Sequence, residues 1–314
     1  MIDLTPTQCD ALVDTIISGE NQQEVATMLM RLHEKGETAL ELQAFVQAMK
    51  KHMIAVPYDG DLLDIVGTGG DNANTVNIST AASLLAACCG AKVVKHGNRS
   101  VSSQCGSADL LEALGFHLDS TPTQVLEDLS RTGFAFCFSP NFHPAMKAVK
   151  AVRKALGFRT IFNLLGPLLN PANANCYVMG VFSEKYLELF ADTLIQLKVK
   201  HAMVVHSNGL DELTLLGPSE VVEVKNGKKK KYTLDPKRFG FSYCQLADIQ
   251  GGDASYNAVL IEKALSGEAG PIADTIILNA AAGLYVAGLA STIELGIEIA
   301  RSQLQSGKTL QSFR

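Results

Sequence analysis

The residues able to do chemistry sit in a few short segments. Gly67-Thr68-Gly69-Gly70-Asp71 directly follows an apolar run at 62–66. Glycines at such a turn let backbone N–H groups approach phosphate oxygens, and a helix start close by adds a favourable dipole. The spacing is not G-x-G-x-x-G, and no G-K-[ST] follows, so neither a Rossmann fingerprint nor a Walker A loop is present. A plain strand-to-helix turn fits the same residues. Asn77-Ile78-Ser79-Thr80 opens the next helix. Its polar side chains suit capping, and the same helix end suits a diphosphate with its bound metal. Lys95-His96-Gly97-Asn98-Arg99-Ser100-Val101-Ser102-Ser103 gathers cations, an amide and hydroxyls after a second strand-like run. Open α/β sheets bind ligands at that edge.

Two further segments fit the same pattern. Asp211-Glu212 comes just after His206-Ser207-Asn208-Gly209 at another strand end. Adjacent acids on a turn suit solvent. Beside a diphosphate they suit Mg²⁺, which takes carboxylates together with phosphate oxygens. His143-Pro144 precedes a helical stretch, 145–156, that carries Arg153. Lys147, Lys150, Arg153 and Lys154 equally fit a solvated basic face.

An alternation of elements has to position these groups. The first sixty residues read as helices only. Thr5 can cap, Pro6 suits the first helical position, and Gln8 completes a capping box. Cys9, Leu12, Val13, Ile16 and Ile17 recur at helical spacing until Gly19. Asn21 with Glu24 opens a second helix that closes near Gly36, and Thr38 with Glu41 opens a third. Their apolar stripe needs a cover, either another part of the chain or a partner subunit. From Asp61 onward, strand-like runs at 62–66, 91–94, 134–138, 177–181 and 202–205 alternate with helical stretches. One helix spans 80–89, and Ser107 is expected to cap another. This alternation predicts a mostly parallel α/β sheet. Asn226-Gly227 between 221–224 and 231–234 predicts an antiparallel hairpin. Residues 256–305 return to helices, and no internal repeat is found.

Composition narrows the class. With 314 residues, 47% hydrophobic and 19% charged, the chain is globular and long enough for about two domains. A net charge of −5 argues against a nucleic-acid binder, so an anionic substrate needs a local site rather than a global positive field. The lysine run at 228–231 reads as a solvated hairpin tip. Seven cysteines, an odd number without any C-x-x-C, suit a reducing compartment better than a disulfide framework or metal cluster. The N-terminus lacks a secretory pattern, and the apolar stretches are too short or interrupted to span a bilayer. These features predict a cytoplasmic protein without membrane partners.

Taken in order, GTGGD at 67–71, NIST at 77–80, KHGNRSVSS at 95–103, GSAD at 106–109, HPAMK at 143–147, RTIFNLLGPLLNP at 159–171 and DE at 211–212 resemble the anthranilate phosphoribosyltransferases over nearly the whole chain. The resemblance implies a small helical N-terminal domain over 1–60, completed by about 143–173. It implies a larger α/β domain over 61–142 and 174–314, a mostly parallel sheet flanked by helices that binds phosphoribosyl diphosphate. It further implies a homodimer joined through the small domains. Gly67, Gly69, Gly70, Asp71, Thr75, Asn77, Ser79, Thr80, Lys95 and Ser107 would hold phosphoribosyl diphosphate. Ser79, Asp211 and Glu212 would serve Mg²⁺. Asn98, His143 and Arg153 would act on anthranilate, with Arg153 facing its carboxylate. Asn72 stands where the family commonly has glycine, and Gln104 where it commonly has Lys or Arg. Two alternatives share the scaffold: a pyrimidine nucleoside phosphorylase, which should lack the KHGN and DE combination, and a nucleic-acid-binding relative, which should carry a basic groove.

Overall fold

The computed structural model describes residues 2–100 and 104–313. The side chains at 150, 151 and 153–155 lie outside the described residues, and with them the expected contact of Arg153 and the basic face of Lys150, Arg153 and Lys154. The hydroxyls of Ser102 and Ser103 lie outside them as well.

Three helices come first: α1 (Pro6–Ser18), α2 (Gln22–Lys35) and α3 (Ala39–Lys50). Thr5 and Gln8 exchange the expected cap bonds, 3.3 Å to the Gln8 N–H and 2.9 Å from the Thr5 N–H. Gly19 closes α1 at φ +76°. Thr38 and Glu41 repeat the box on α3. Asn21 departs from expectation: it stands at the N-cap with φ +46° and makes no side-chain cap bond.

The sheet begins with β1 (Leu63–Gly67), followed by α4 (Ile78–Cys88), β2 (Val93–Gly97), α5 (Ser107–Ala113), α6 (Pro122–Thr132) and β3 (Phe134–Phe138). A mid-chain helical segment follows: α7 (Ser139–Phe142), α8 (Met146–Leu156) and α9 (Phe162–Leu165). Then come β4 (Cys176–Gly180), α10 (Leu187–Gln196), β5 (His201–His206) and the hairpin β6 (Ser219–Lys225) and β7 (Lys228–Leu234). Three helices finish the chain: α11 (Ala254–Leu265), α12 (Pro271–Val286) and α13 (Ile293–Gln305). Among the described residues the strands form one sheet in the order β3-β2-β1-β4-β5-β6-β7. β1 to β5 are parallel, and β6 and β7 are antiparallel. Asn226 and Gly227 both take positive φ, 51° and 73°, as a two-residue hairpin turn requires.

Two expectations are corrected. β2 runs to Gly97, so Lys95 and His96 lie within the strand, because pairing with β3 continues through Gly97↔Phe138. Gly106, not Ser107, stands at the N-cap of α5, where the Asp109 carboxylate accepts the Gly106 N–H at 2.9 Å. The basic run is exposed at the turn end of the hairpin, as expected, and forms the first residues of β7, where Lys229 pairs with Glu188 and Asp192 at 2.7 and 2.6 Å. The stripe of α1 is covered by another part of the chain, the first of the two expected covers. Cys9, Leu12, Val13 and Ile16 are buried within the chain.

Strand residues alternate between two cores, as the period of two demands. Leu63, Ile65, Val93 and Val178 face α4, α11, α12 and α13. Val94, Tyr177, Met179 and Val204 face the other way and join α1, α2, α3, α9 and α10 in one continuous cluster. A polar clamp ties the mid-chain segment to the sheet under this second core. The Asn170 amide donates to Asp64 Oδ2 and to the Val94 carbonyl, both at 2.8 Å. Its oxygen accepts the Ala172 N–H at 2.9 Å. All of this is buried. Asn170→Ala should therefore lower unfolding free energy by about 2–3 kcal/mol, since it strands a buried carboxyl and a carbonyl. Urea denaturation checks it, and a loss within a few tenths of a kcal/mol would show the clamp to be idle.

Candidate active site

Three adjacent strands end on glycine: Gly97 on β2, Gly67 on β1 and Gly180 on β4. A Cβ on Gly67 would overlap the Asp211 carboxylate, and one on Gly180 would overlap the Asp211 backbone carbonyl. A Cβ on Gly97 would overlap the Ser107 hydroxyl. Side-chain-free strand ends thus let the Asp211 turn and the start of α5 lie directly on the sheet edge. The strand order also reverses here. The chain leaves β1 outward to β2 and β3, then returns to β4 on the other side, opening the crevice at which such sheets bind ligands.

The glycine turn crosses this crevice. Thr68 N–H donates to the Gly180 carbonyl at 3.0 Å, and Gly69 N–H to Asp211 Oδ2 at 2.5 Å. Gly69, Gly70, Asn72 and Asn74 take φ of +67°, +82°, +60° and +51°. Asn72 thus adopts the left-handed backbone that asparagine tolerates and glycine would adopt freely. Asp71 accepts the Ala73 N–H at 3.2 Å. Thr75 bridges Gln250, which brings the chain before α11 against the turn. At the start of α4, Asn77 is the N-cap residue but caps nothing. Its amide donates to the Cys105 carbonyl at 3.1 Å and its oxygen accepts from Asn257 at 3.0 Å. Ser79 N–H donates to Glu212 Oε1 at 3.1 Å. Thr80 is buried in the helix. Asn98 is exposed, and Ser107 Oγ donates to its carbonyl at 3.3 Å. Gln104 is exposed.

Lys95 lies under the turn, 2% exposed. Its ammonium donates to the Ile65 carbonyl at 2.6 Å and to Ser79 Oγ at 3.3 Å. Burial pulls its pKa down, opposed by Asp64, Glu212 and Asp211. Burial pushes Asp211 up to about 7, reinforced by the charge of Asp71. Glu212 is pushed well above the carboxylate range by burial, then by Asp211 and Asp71. Burial outweighs attraction here, so the acids are short of positive charge. They also rest against the Gly69 and Ser79 N–H groups that an anion would use.

Consecutive strand residues point to opposite faces, so Lys95 faces α4 while His96 faces the mid-chain segment. There His96 meets His143, ring centroids 4.9 Å apart. His143 Nε2 is 2.8 Å from the Leu169 carbonyl, which only accepts, so Nε2 carries the proton. Nδ1 of His143 and Nε2 of His96 are buried without a partner. Burial pulls His143 down to about 4 and His96 to about 3. Both imidazoles are neutral at physiological pH. The donor candidates Gly67, Gly69, Gly70, Asp71, Asn77, Ser79 and Lys95 thus converge with Asp211 and Glu212, and His143 stands across β2. His96, Asn257 and Arg159 escaped the sequence reading as site residues. His96 and Arg159 were visible only as members of recognised motifs, and Asn257 gave no signal. A groove of about 760 Å³ lies elsewhere beyond the β3 edge, lined by Arg99, Glu112, His117 and Asp128. Arg99 is already paired there with Asp109 and Glu112.

In a histidine ¹⁵N NMR titration, His143 should stay neutral from pH 8 down to about pH 5, protonating only near 4. A midpoint near the ordinary value of about 6.5 would show the ring to be solvated.

The α/β-domain model of a glycosyl transferase family matches residues 59–310, and the family's helical-bundle-domain model matches residues 2–53. An anthranilate phosphoribosyltransferase of Chlamydia felis is 42% identical over 98% of this chain and 90% of its own length. The crystal structure of the enzyme of that name from Thermus thermophilus superposes with a TM-score of 0.94 at 42% identity, covering 99% of this chain and 95% of its own. That from Saccharomyces cerevisiae, in complex with phosphoribosyl diphosphate and Mg, gives 0.89 at 28% identity, covering 99% and 92%. The Saccharomyces enzyme is also known in complex with 4-fluoroanthranilate.

Proposed function

The chain belongs to the anthranilate phosphoribosyltransferases of this glycosyl transferase family, and on that premise we propose how its own residues carry the reaction. It transfers the phosphoribosyl group of phosphoribosyl diphosphate to the amine of anthranilate, a step of tryptophan biosynthesis. The C1–O bond breaks with its electron pair leaving on diphosphate. The amine nitrogen supplies the pair for the new N–C1 bond and then releases a proton. One observation carries the assignment of roles: the glycine turn, the start of α4, buried Lys95 and the Asp211-Glu212 pair meet at one sheet edge.

Charge builds on the leaving diphosphate and on the ribose, so preset N–H groups and a fixed cation supply most of the rate. Gly67, Gly69, Gly70, Asp71, Thr75, Asn77, Ser79, Thr80 and Ser107 bind the donor in this reading, and Lys95 opposes its negative charge. Asp211, Glu212 and Ser79 would hold Mg²⁺, which when bound neutralises charge on the diphosphate. The residues fit such an ion: both carboxyls are pushed upward by burial, and Glu212 Oε2 has no partner. Among the described residues no three His, Cys, Asp or Glu side chains form a complete cage. Mg²⁺ shared with phosphate oxygens needs none.

Asn98, His143 and Arg153 hold the acceptor. An arylamine is neutral at physiological pH, and the nitrogen becomes strongly acidic only once bonded to C1. Neutral His143 therefore need not act as a strong base. Arg153 presents a planar fork to the anthranilate carboxylate. We further propose a cytoplasmic homodimer joined through α1–α3. Exposed Met30 and Leu40 on these helices and the free cysteines support this.

Loss of anthranilate fluorescence on adding phosphoribosyl diphosphate should require Mg²⁺, and undiminished turnover after thorough chelation would remove the metal from the reading. Arg153→Ala should raise the KM for anthranilate by about 10- to 150-fold, a loss of about 1.5–3 kcal/mol, with the donor KM nearly unchanged. Arg153→Lys should recover only part. Equal effects on both substrates, or none on the acceptor, would defeat the assignment.

A further inference from the structure

Outside the residues assigned so far, Arg159 makes a set of contacts that the roles above leave unused. It follows α8 on the mid-chain segment, yet reaches across to the glycine turn. Its Nη2 donates to the Gly70 carbonyl at 2.9 Å. Its guanidinium carbon lies 4.1 Å from the centroid of the Phe182 ring. Phe182 is itself tied to the same turn, because its N–H donates to Thr68 Oγ1 at 3.0 Å. The turn is therefore gripped twice: at Thr68 through the backbone beyond β4, and at Gly70 through a guanidinium laid on Phe182.

The grip has a directional consequence. Gly70 sits at φ +82°, a conformation that glycine enters without cost but does not hold by itself. A peptide is planar and trans, so its C=O and N–H point opposite ways. Capturing the Gly70 carbonyl aims the Asp71 N–H away from Arg159 and fixes the plane of a peptide that would otherwise rotate. The guanidinium is planar, and stacking on Phe182 holds that plane in place; a flexible ammonium has neither property. A Cβ on Gly70 would lie 2.7 Å from Nη2, so the closeness of the contact depends on glycine.

We propose that Arg159, steadied by Phe182, is a positioning residue for the donor: it presets the Gly70–Asp71 peptide for diphosphate and ties the acceptor-side segment to the donor turn. This rests on the reading that residues 67–71 bind the diphosphate. The contact orients backbone donors, and Arg159 itself needs no bond to substrate.

The test measures both KM values, kcat and the melting temperature for wild type, Arg159→Ala, Arg159→Lys, Phe182→Leu and Gly70→Ala. Calorimetric titration with phosphoribosyl diphosphate and Mg²⁺ gives donor affinity directly. Arg159→Ala should weaken donor binding by about 10-fold, the worth of one charge-assisted hydrogen bond. The anthranilate KM should change by less than about 2-fold, with the melting temperature nearly unmoved. Arg159→Lys should stay close to the Ala variant, and Phe182→Leu should weaken donor binding in the same direction by a smaller factor. Full recovery by Lys would overturn the proposal, since charge alone would then suffice. A loss shared equally by both substrates and the melting temperature would overturn it as merely structural. If Gly70→Ala weakens donor binding while Arg159→Ala does not, the brace fails and the donor turn stands. If neither variant affects the donor, the assignment of the turn fails too.

Discussion

The crowded exit of β1 and β4 governs the rest of this molecule. Gly67 and Gly180 face each other in register at the point where the strand order reverses. The Asp211 segment lies on both of them without room for a Cβ on either. Any side chain there would lift Asp211 off the sheet edge. The acid pair would then separate from the glycine turn and from the start of α4. Two missing side chains bring carboxylates and anion-binding N–H groups within one small volume, which is what the proposed metal-assisted diphosphate site needs.

Crowding also sets the electrostatics. Lys95 lies beneath the turn, held by the Ile65 carbonyl and Ser79, and feels the charges of Asp64, Glu212 and Asp211. Burial weakens the charged form of every member, so the cluster is poised for ligands that bring both signs of charge. A cation satisfies the acids, and an anion takes the N–H groups of Gly69 and Ser79 that the acids now occupy. In the proposed site, donor and metal thus have a shared reason to bind together.

The pleat of one strand separates the two polar clusters proposed for donor and acceptor. Lys95 points to the α4 side and His96 to the mid-chain segment, where His143 rests against it. That segment is moored at Asn170 under the sheet and at Arg159 over the turn. The helical layer shares a continuous apolar cluster with the second face of the sheet. The groups proposed for donor and acceptor are therefore held by the same packed body, which suits a reaction that depends on positioning two substrates.

Local chemistry along the chain was legible from the sequence alone. The boxes at Thr5 and Thr38, the stop at Gly19, the Asn226-Gly227 hairpin and the strand-helix alternation all depend on neighbours within a few residues, so they can be read in order. The ordered motifs identified the family, and they nominated the groups about Gly69, Ser79, Lys95 and Asp211. Tertiary structure decided what depends on distant partners. Ser107 yielded the cap to Gly106 because Asp109 reaches that N–H. Lys95 and His96 became strand residues because β3 pairs alongside them. The α1 stripe was covered by its own chain because the sheet offers a second apolar face. Asn257 and Gly180 were silent in sequence for the same reason, and Arg159 and Gly97 were visible only as members of the ordered motifs. A glycine, an amide or an arginine has no local pattern when its role is a contact with a residue far away along the chain, as Arg159 makes with Gly70 and Asn257 with Asn77.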